Sequence, residues 1–216
     1  MKIFAKATAA ALALLLAGAS TGSATTVGAN LNIDNGFDVY LTTDLGSTGP
    51  SLGSGENWRQ TFSYDLALAP GVTNYLLIEA YDTGGPQAML ASFSLSDALF
   101  RFGNGGQTLL TGDEGIKVST SGFTGPFGDP IIFGTNGQAD LPWTEFNNPG
   151  DTAIAGQPLA AEWIWAAGAD ESDGFNGGTP REFTYFAIEI TPIPGPFGAV
   201  LLVSALGLAA AVRRRR

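Results

Sequence analysis

Three groups of residues have side chains of the kinds that react or bind. Gly49-Pro50-Ser51-Leu52-Gly53 has the G-x-S-x-G spacing of a nucleophile turn. A serine in such a turn needs a histidine to take its proton and a strand-to-helix bend to expose it. The chain has no histidine, so the segment reads as a flexible loop. The second group is Asp170-Glu171-Ser172-Asp173-Gly174-Phe175-Asn176, where Asp170, Asp173 and Asn176 offer oxygen ligands that calcium accepts. Its ligands do not fall at alternate positions as in D-x-D-x-D-G loops, and a solvated acidic turn is the competing reading. The third group is Asp34 and Asn35 with Asp82 and Thr83, near Trp58. A planar indole presents an apolar face to the C–H face of a pyranose, while neighbouring Asp and Asn side chains bond its hydroxyls. Trp58, Asp34, Asn35 and Asp82 are therefore the candidate carbohydrate contacts. The Asp34 and Asp82 loops are also a second candidate place for a structural calcium, the one bound group expected.

Cysteine is absent as well as histidine. Thiol catalysis, cysteine-ligated zinc and iron–sulfur chemistry are thereby excluded, and the usual general base is missing. Twenty carboxylates leave glycoside hydrolysis by a carboxylate pair open in principle, but nothing singles out a pair. The expectation is a protein that is not an enzyme. Trp143, Trp163 and Trp165 are further aromatic candidates. Trp163 and Trp165 stand two residues apart, on one face of an expected strand, where core packing is the alternative to ligand contact.

The elements that must position these groups are strands. Short apolar alternations cut by Gly, Asn, Asp and Pro predict an all-β sandwich. Strands are expected at 27–33, 37–42, 58–64, 74–81, 89–95, 115–119, 162–166 and 183–190. Asn35-Gly36 is a short turn signal between the first two. In the fourth, Leu76, Ile78 and Ala80 oppose Tyr75, Leu77, Glu79 and Tyr81. In the last, Thr184, Phe186, Ile188 and Ile190 oppose Phe183, Tyr185, Ala187 and Glu189. Both read as central strands. Residues 120–161 are rich in Gly, Pro and Asn and read as an insertion packed by Phe127, Ile132, Phe133, Trp143 and Phe146.

Both ends carry an address. Lys2 and Lys6 precede an apolar run and small residues, the layout of a secretory signal peptide over 1–24, cut after Ala24. At the other end, 192–216, a Pro192-Ile193-Pro194-Gly195-Pro196 motif leads into sixteen apolar residues with Ser204 as the one polar group. As a helix they span roughly 24 Å, just short of a bilayer core. Arg213, Arg214, Arg215 and Arg216 then stop the run on the cytoplasmic side. Residues 25–191 are thus one domain, with four basic residues against twenty carboxylates, a formal charge of −16. Such a surface repels nucleic acid and anionic lipid.

The order proline motif, apolar helix and arginine cluster resembles the PEP-CTERM sorting signals, including their VPLPA-like variants. The resemblance implies export, transient anchoring in the inner membrane, processing by an exosortase-type enzyme near the proline motif, and delivery to the cell surface or extracellular matrix. The motif here lacks the glutamate of the commonest form. In the middle of the chain, Ile33-Asp34-Asn35-Gly36-Phe37-Asp38-Val39-Tyr40, Gly55-Glu56-Asn57-Trp58, Tyr64-Asp65-Leu66, Leu68-Ala69-Pro70-Gly71 and Ile78-Glu79-Ala80-Tyr81-Asp82 follow one another in an order that resembles the galactose-binding-domain-like jelly roll. That resemblance implies a non-catalytic sandwich that binds extracellular polysaccharide. Thr42-Thr43-Asp44-Leu45-Gly46 replaces the family's Asn-Gly tip, and the Glu162-Trp163-Ile164-Trp165 and Thr184-Tyr185-Phe186 strands come last instead of first. A matrix protein without a ligand is the alternative function.

Overall fold

A computed structural model describes residues 24–83, 86–139, 141–143, 153–167 and 183–194. The signal segment before Ala24, the acidic loop with Asp170, Asp173 and Asn176, Phe146, and the tail from Gly195 through Arg213, Arg214, Arg215 and Arg216 lie outside them. Among the described residues there is no helix, and so none long and apolar enough to cross a membrane.

The described residues form twelve strands in two antiparallel sheets: β1 Thr26–Asp34, β2 Gly36–Thr42, β3 Gly53–Gly55, β4 Phe62–Ala67, β5 Asn74–Tyr81, β6 Ala88–Leu95, β7 Phe100–Phe102, β8 Thr108–Leu110, β9 Ile116–Ser119, β10 Ile131–Thr135, β11 Glu162–Trp165 and β12 Phe183–Pro192. The first sheet runs β10-β11-β6-β1-β4, with β8 also on β6. The second runs β3-β2-β5-β12-β7, with β9 also on β12. The expected sandwich is present, and β5 and β12 sit at the centre of their sheet.

The two inner faces meet in one core. Val27, Ala29, Leu31 and Ile33 of β1 and Met89, Ala91 and Phe93 of β6 face Leu76, Ile78 and Ala80 of β5 and Phe186, Ile188 and Ile190 of β12. Alternation is what makes this work, because period-two side chains put every second residue on the buried face. Trp165 reaches across from the first sheet to meet Phe186 edge-on at 5.6 Å. On the open side, Phe62 and Tyr64 of β4 close against Phe37, with centroids 5.5 and 6.4 Å away.

Several expectations need correcting. Asn35-Gly36 is not a hairpin turn: β1 belongs to the first sheet and β2 to the second, so the chain crosses between layers there. Gly36 lies opposite Tyr81, and a Cβ on it would collide with that ring. The strand expected at 58–64 begins only at Phe62. Residues 57–60 form a turn instead, because the Asn57 side chain accepts from the Arg59 N–H and Gln60 N–H donates to the Asn57 carbonyl. The 120–161 stretch is not loop alone. Gly128 bridges to Val118, and β10 pairs with β11. Ile132, expected to pack the insertion, is 53% exposed, while Trp143 is buried. Trp163 and Trp165 are both fully buried but do not share a layer. Trp165 joins the inter-sheet core and Trp163 a second cluster with Ala88, Leu90, Leu141, Trp143 and Ile154. The β10–β11 ladder shifts register between Ile132 and Gly134, which breaks regular alternation at that edge.

Phe186→Ala removes the ring that both sheets pack around and is expected to cost about 3–5 kcal/mol in urea unfolding. Leu99→Ala, at a side chain 60% exposed, is expected to stay within about 0.5 kcal/mol. Equal losses at the two positions would contradict this core assignment.

Candidate functional site

The ends of β1 and β5 bring Asp34, Asn35 and Asp82 to one rim, and the turn after β3 adds Trp58. The carboxylates turn inward, however: Asp34 is 4% and Asp82 8% exposed. Asp34 is occupied on both oxygens. Its Oδ2 accepts from Trp143 Nε1 at 2.9 Å, and its Oδ1 accepts from Asn35 Nδ2 at 2.6 Å. Asn35 Oδ1 in turn accepts from the backbone N–H and the hydroxyl of Thr83. Burial pushes the Asp34 carboxyl up to about 7. The bond from Trp143 opposes that rise, the Asp82 charge adds to it, and Arg59 and Asn35 pull it back.

Trp58 is half-buried. Its ring meets Trp163 edge-on at 6.4 Å, and the Arg59 guanidinium lies over it, 5.1 Å from the centroid. Trp163 stacks on Trp143 at 4.8 Å, so an aromatic chain leads from Trp58 back to Asp34. A second set of bonds anchors the adjoining segment to the outer face of the first sheet. Asn32 donates to the Trp58 carbonyl, while Thr61 and Gln157 both donate to Asn32 Oδ1. Asn136 donates to the carbonyls of Ile154 and Gln157. Chemically, the rim is a brace: its polar groups hold loops to a sheet. Asp34 and Asp82 supply two carboxylates, and no group of three or more His, Cys, Asp or Glu side chains suited to a metal occurs among the described residues.

The open concavity lies elsewhere, on the outer face of the second sheet. It has a volume of about 580 Å³, within the range of small-molecule sites. Tyr75 of β5 and Ala187 and Glu189 of β12 line its sheet side, and Phe127, Pro130 and Ile132 line its wall. Register sets this arrangement, since Glu189 pairs with Tyr75 and Ala187 with Lys117. The wall is held in place by the Val118–Gly128 bridge, with N–H to O distances of 3.0 and 2.8 Å, and by an ion pair between Lys117 and Asp129. At the far end Asp113 and Glu114 project from a turn in which Asp113 accepts from the Leu110 N–H. Gly115 follows at φ +112°, and a Cβ there would stand 3.1 Å from Gly103 Cα. Only glycine suits both the conformation and the contact.

The same face is rich in rings. Four of the five tyrosines project from it: Tyr40, Tyr75, Tyr81 and Tyr185. Phe123 packs edge-on against Tyr185 at 5.0 Å and Tyr40 at 6.1 Å. Tyr40 donates to Glu79 at 3.2 Å. Burial, with the Glu79 charge, pushes the Tyr40 hydroxyl up to about 12 and raises that of Tyr185 too. Both therefore stay protonated donors. In the sequence, period-two spacing sets Tyr75, Tyr185 and Glu189 on the strand faces opposite Leu76, Phe186 and Ile188, and that is the available signal for this surface.

An antiparallel β-sandwich with an aromatic outer face and a side cleft is the class of protein defined by these features. No protein family, curated protein or solved structure matches the chain.

Asp34 gives the rim a pH signature. Its folded value lies above the unfolded one, so its contribution is fully present below about pH 4 and is lost as pH rises through about 7. Asp34→Asn keeps an acceptor for Trp143 and cannot ionise. Relative to this variant, the wild type is expected to lose stability in denaturant titrations between about pH 4 and pH 8. A difference that does not vary with pH would contradict the assignment.

Proposed function

We propose that this chain is an exported cell-surface or extracellular-matrix protein whose β-sandwich, a galactose-binding-domain-like jelly roll, binds carbohydrate without catalysis. The observation that carries the reading is the cleft beside Tyr75 and Phe127, where aromatic faces stand next to exposed carboxylates. Rings that stack on sugar C–H faces and acceptors that take hydroxyls are the two requirements of such a site. Complete absence of histidine and cysteine favours binding over turnover.

The address rests on the two ends. Ala24 is exposed, whereas Thr25 is buried and donates to Asp97 Oδ2 at 2.7 Å. A cut after Ala24 therefore leaves the first strand intact. Pro192 closes β12 opposite Phe100, and the Ile193 N–H donates to the Leu99 carbonyl at 2.8 Å. Processing by an exosortase-type enzyme is placed near this proline motif, which continues through Pro194, Gly195 and Pro196. Removing Arg213, Arg214, Arg215 and Arg216 is expected to leave the protein exported but mis-sorted, as read by cell fractionation. Accumulation of the intact chain in the cytoplasm would oppose the whole address.

For binding, Phe127→Ala is expected to weaken affinity for a glycan selected on an array by about tenfold, equivalent to ~1.4 kcal/mol. Trp58→Ala is expected to change it by less than about threefold, roughly 0.7 kcal/mol. The reverse ranking would move the site to the rim. No binding to any glycan would favour the ligand-free matrix protein.

A further inference from the structure

The charges around the cleft restrict which carbohydrate can enter, an inference that rests on the carbohydrate reading above. Four carboxylates line the cavity, those of Asp113, Glu114, Asp129 and Glu189, against one ammonium, that of Lys117. Lys117 is already paired with Asp129, so an incoming anion would have to compete for it. Asp113, Glu114 and Glu189 are exposed and have no basic partner among the lining residues. The wider domain adds to the same field, with four basic residues against twenty carboxylates over 25–191.

We infer that the cleft selects uncharged polysaccharide and rejects chains bearing uronate or sulfate groups, with Glu114 and Glu189 as the side chains that set the choice. The physical basis is asymmetric. A carboxylate accepts a sugar hydroxyl in a charge-assisted hydrogen bond. The same carboxylate repels a sugar carboxylate, more strongly where rings and backbone have displaced water. Tyr75 and Phe127 then supply contact energy that does not depend on the charge of the ligand. Glu189 stands directly opposite Tyr75 in the β5–β12 register, so the ring that would stack on a sugar and the group that would test its charge are fixed side by side. Glu114 guards the other end from the turn before Gly115.

The test uses the exported protein and three soluble oligosaccharides of equal length: a neutral glucan, an oligogalacturonate and a glucosamine oligomer, titrated calorimetrically. The wild type is expected to bind the neutral chain and to bind the galacturonate at least about tenfold more weakly. In the double variant Glu114→Gln, Glu189→Gln, the ratio of galacturonate to neutral affinity is expected to rise at least about tenfold, and circular dichroism checks that the variant is folded. Equal affinity of the wild type for neutral and galacturonate chains would overturn the inference, as would an unchanged ratio in the double variant. So would tighter binding of the glucosamine chain than the neutral one in about 0.5 M salt, where long-range attraction is screened. Binding of none of the three at the cleft would instead remove the carbohydrate reading itself.

Discussion

β12 is the last of the described strands and pairs with β5 along eight residues, Phe183 against Tyr81 through Ile190 against Asn74. Everything distinctive about the second sheet depends on that register. Phe186, Ile188 and Ile190 point into the core because Tyr185, Ala187 and Glu189 point out, and a slip by one residue would exchange the two sets. The same strand carries β7 and β9 along its other edge, so it also fixes where Lys117 and the turn before it stand. Core and cleft are two sides of one pairing.

The first sheet solves a different problem. Its outer face carries Asn30, Asn32 and Asp34, polar groups on a strand whose other face is wholly apolar. Asn32 and Asp34 are nevertheless buried, because Trp143 and Gln157 come back to the sheet and bond to them. Burial of such groups is tolerable when partners are supplied, and Gln157, Thr61 and Trp143 supply them. Trp143 links the two themes: its ring stacks in the second apolar cluster while its N–H satisfies the Asp34 carboxyl. The residues that looked most like an exposed ligand site are thereby engaged in holding a loop to a sheet.

Much of the sandwich was legible in the sequence. β1, β2, β5, β6, β9, β11 and β12 each carry enough alternating apolar residues to identify themselves, and the two opposed faces of β5 and β12 could be separated residue by residue. Strands of three residues, such as Gly53–Gly55 and Thr108–Leu110, contain too little pattern to read, and they exist because a longer neighbour offers an edge. The crossing at Asn35-Gly36 was hidden because a turn signal does not say which sheet the next strand joins. The rim was legible as a gathering of Asp34, Asn35 and Asp82. Its inward orientation was not, since Trp143 lies 109 positions from Asp34. The cleft was the hardest to foresee. Its residues come from six separate stretches, and on any one of them Tyr75, Lys117 or Glu189 looks like an ordinary solvated face.

In the proposed carbohydrate-binding role, ligand contact falls on the outer face of the second sheet, while the rim braces loops against the first. Amide chemical shifts of the isotope-labelled exported protein, followed during titration with a neutral oligosaccharide, compare the two directly. Shifts concentrated at Tyr75, Lys117, Phe127, Ala187 and Glu189, with Asn35, Trp58 and Asp82 unmoved, are the predicted result. Shifts concentrated at Asn35, Trp58 and Asp82, with the cleft unmoved, would contradict it.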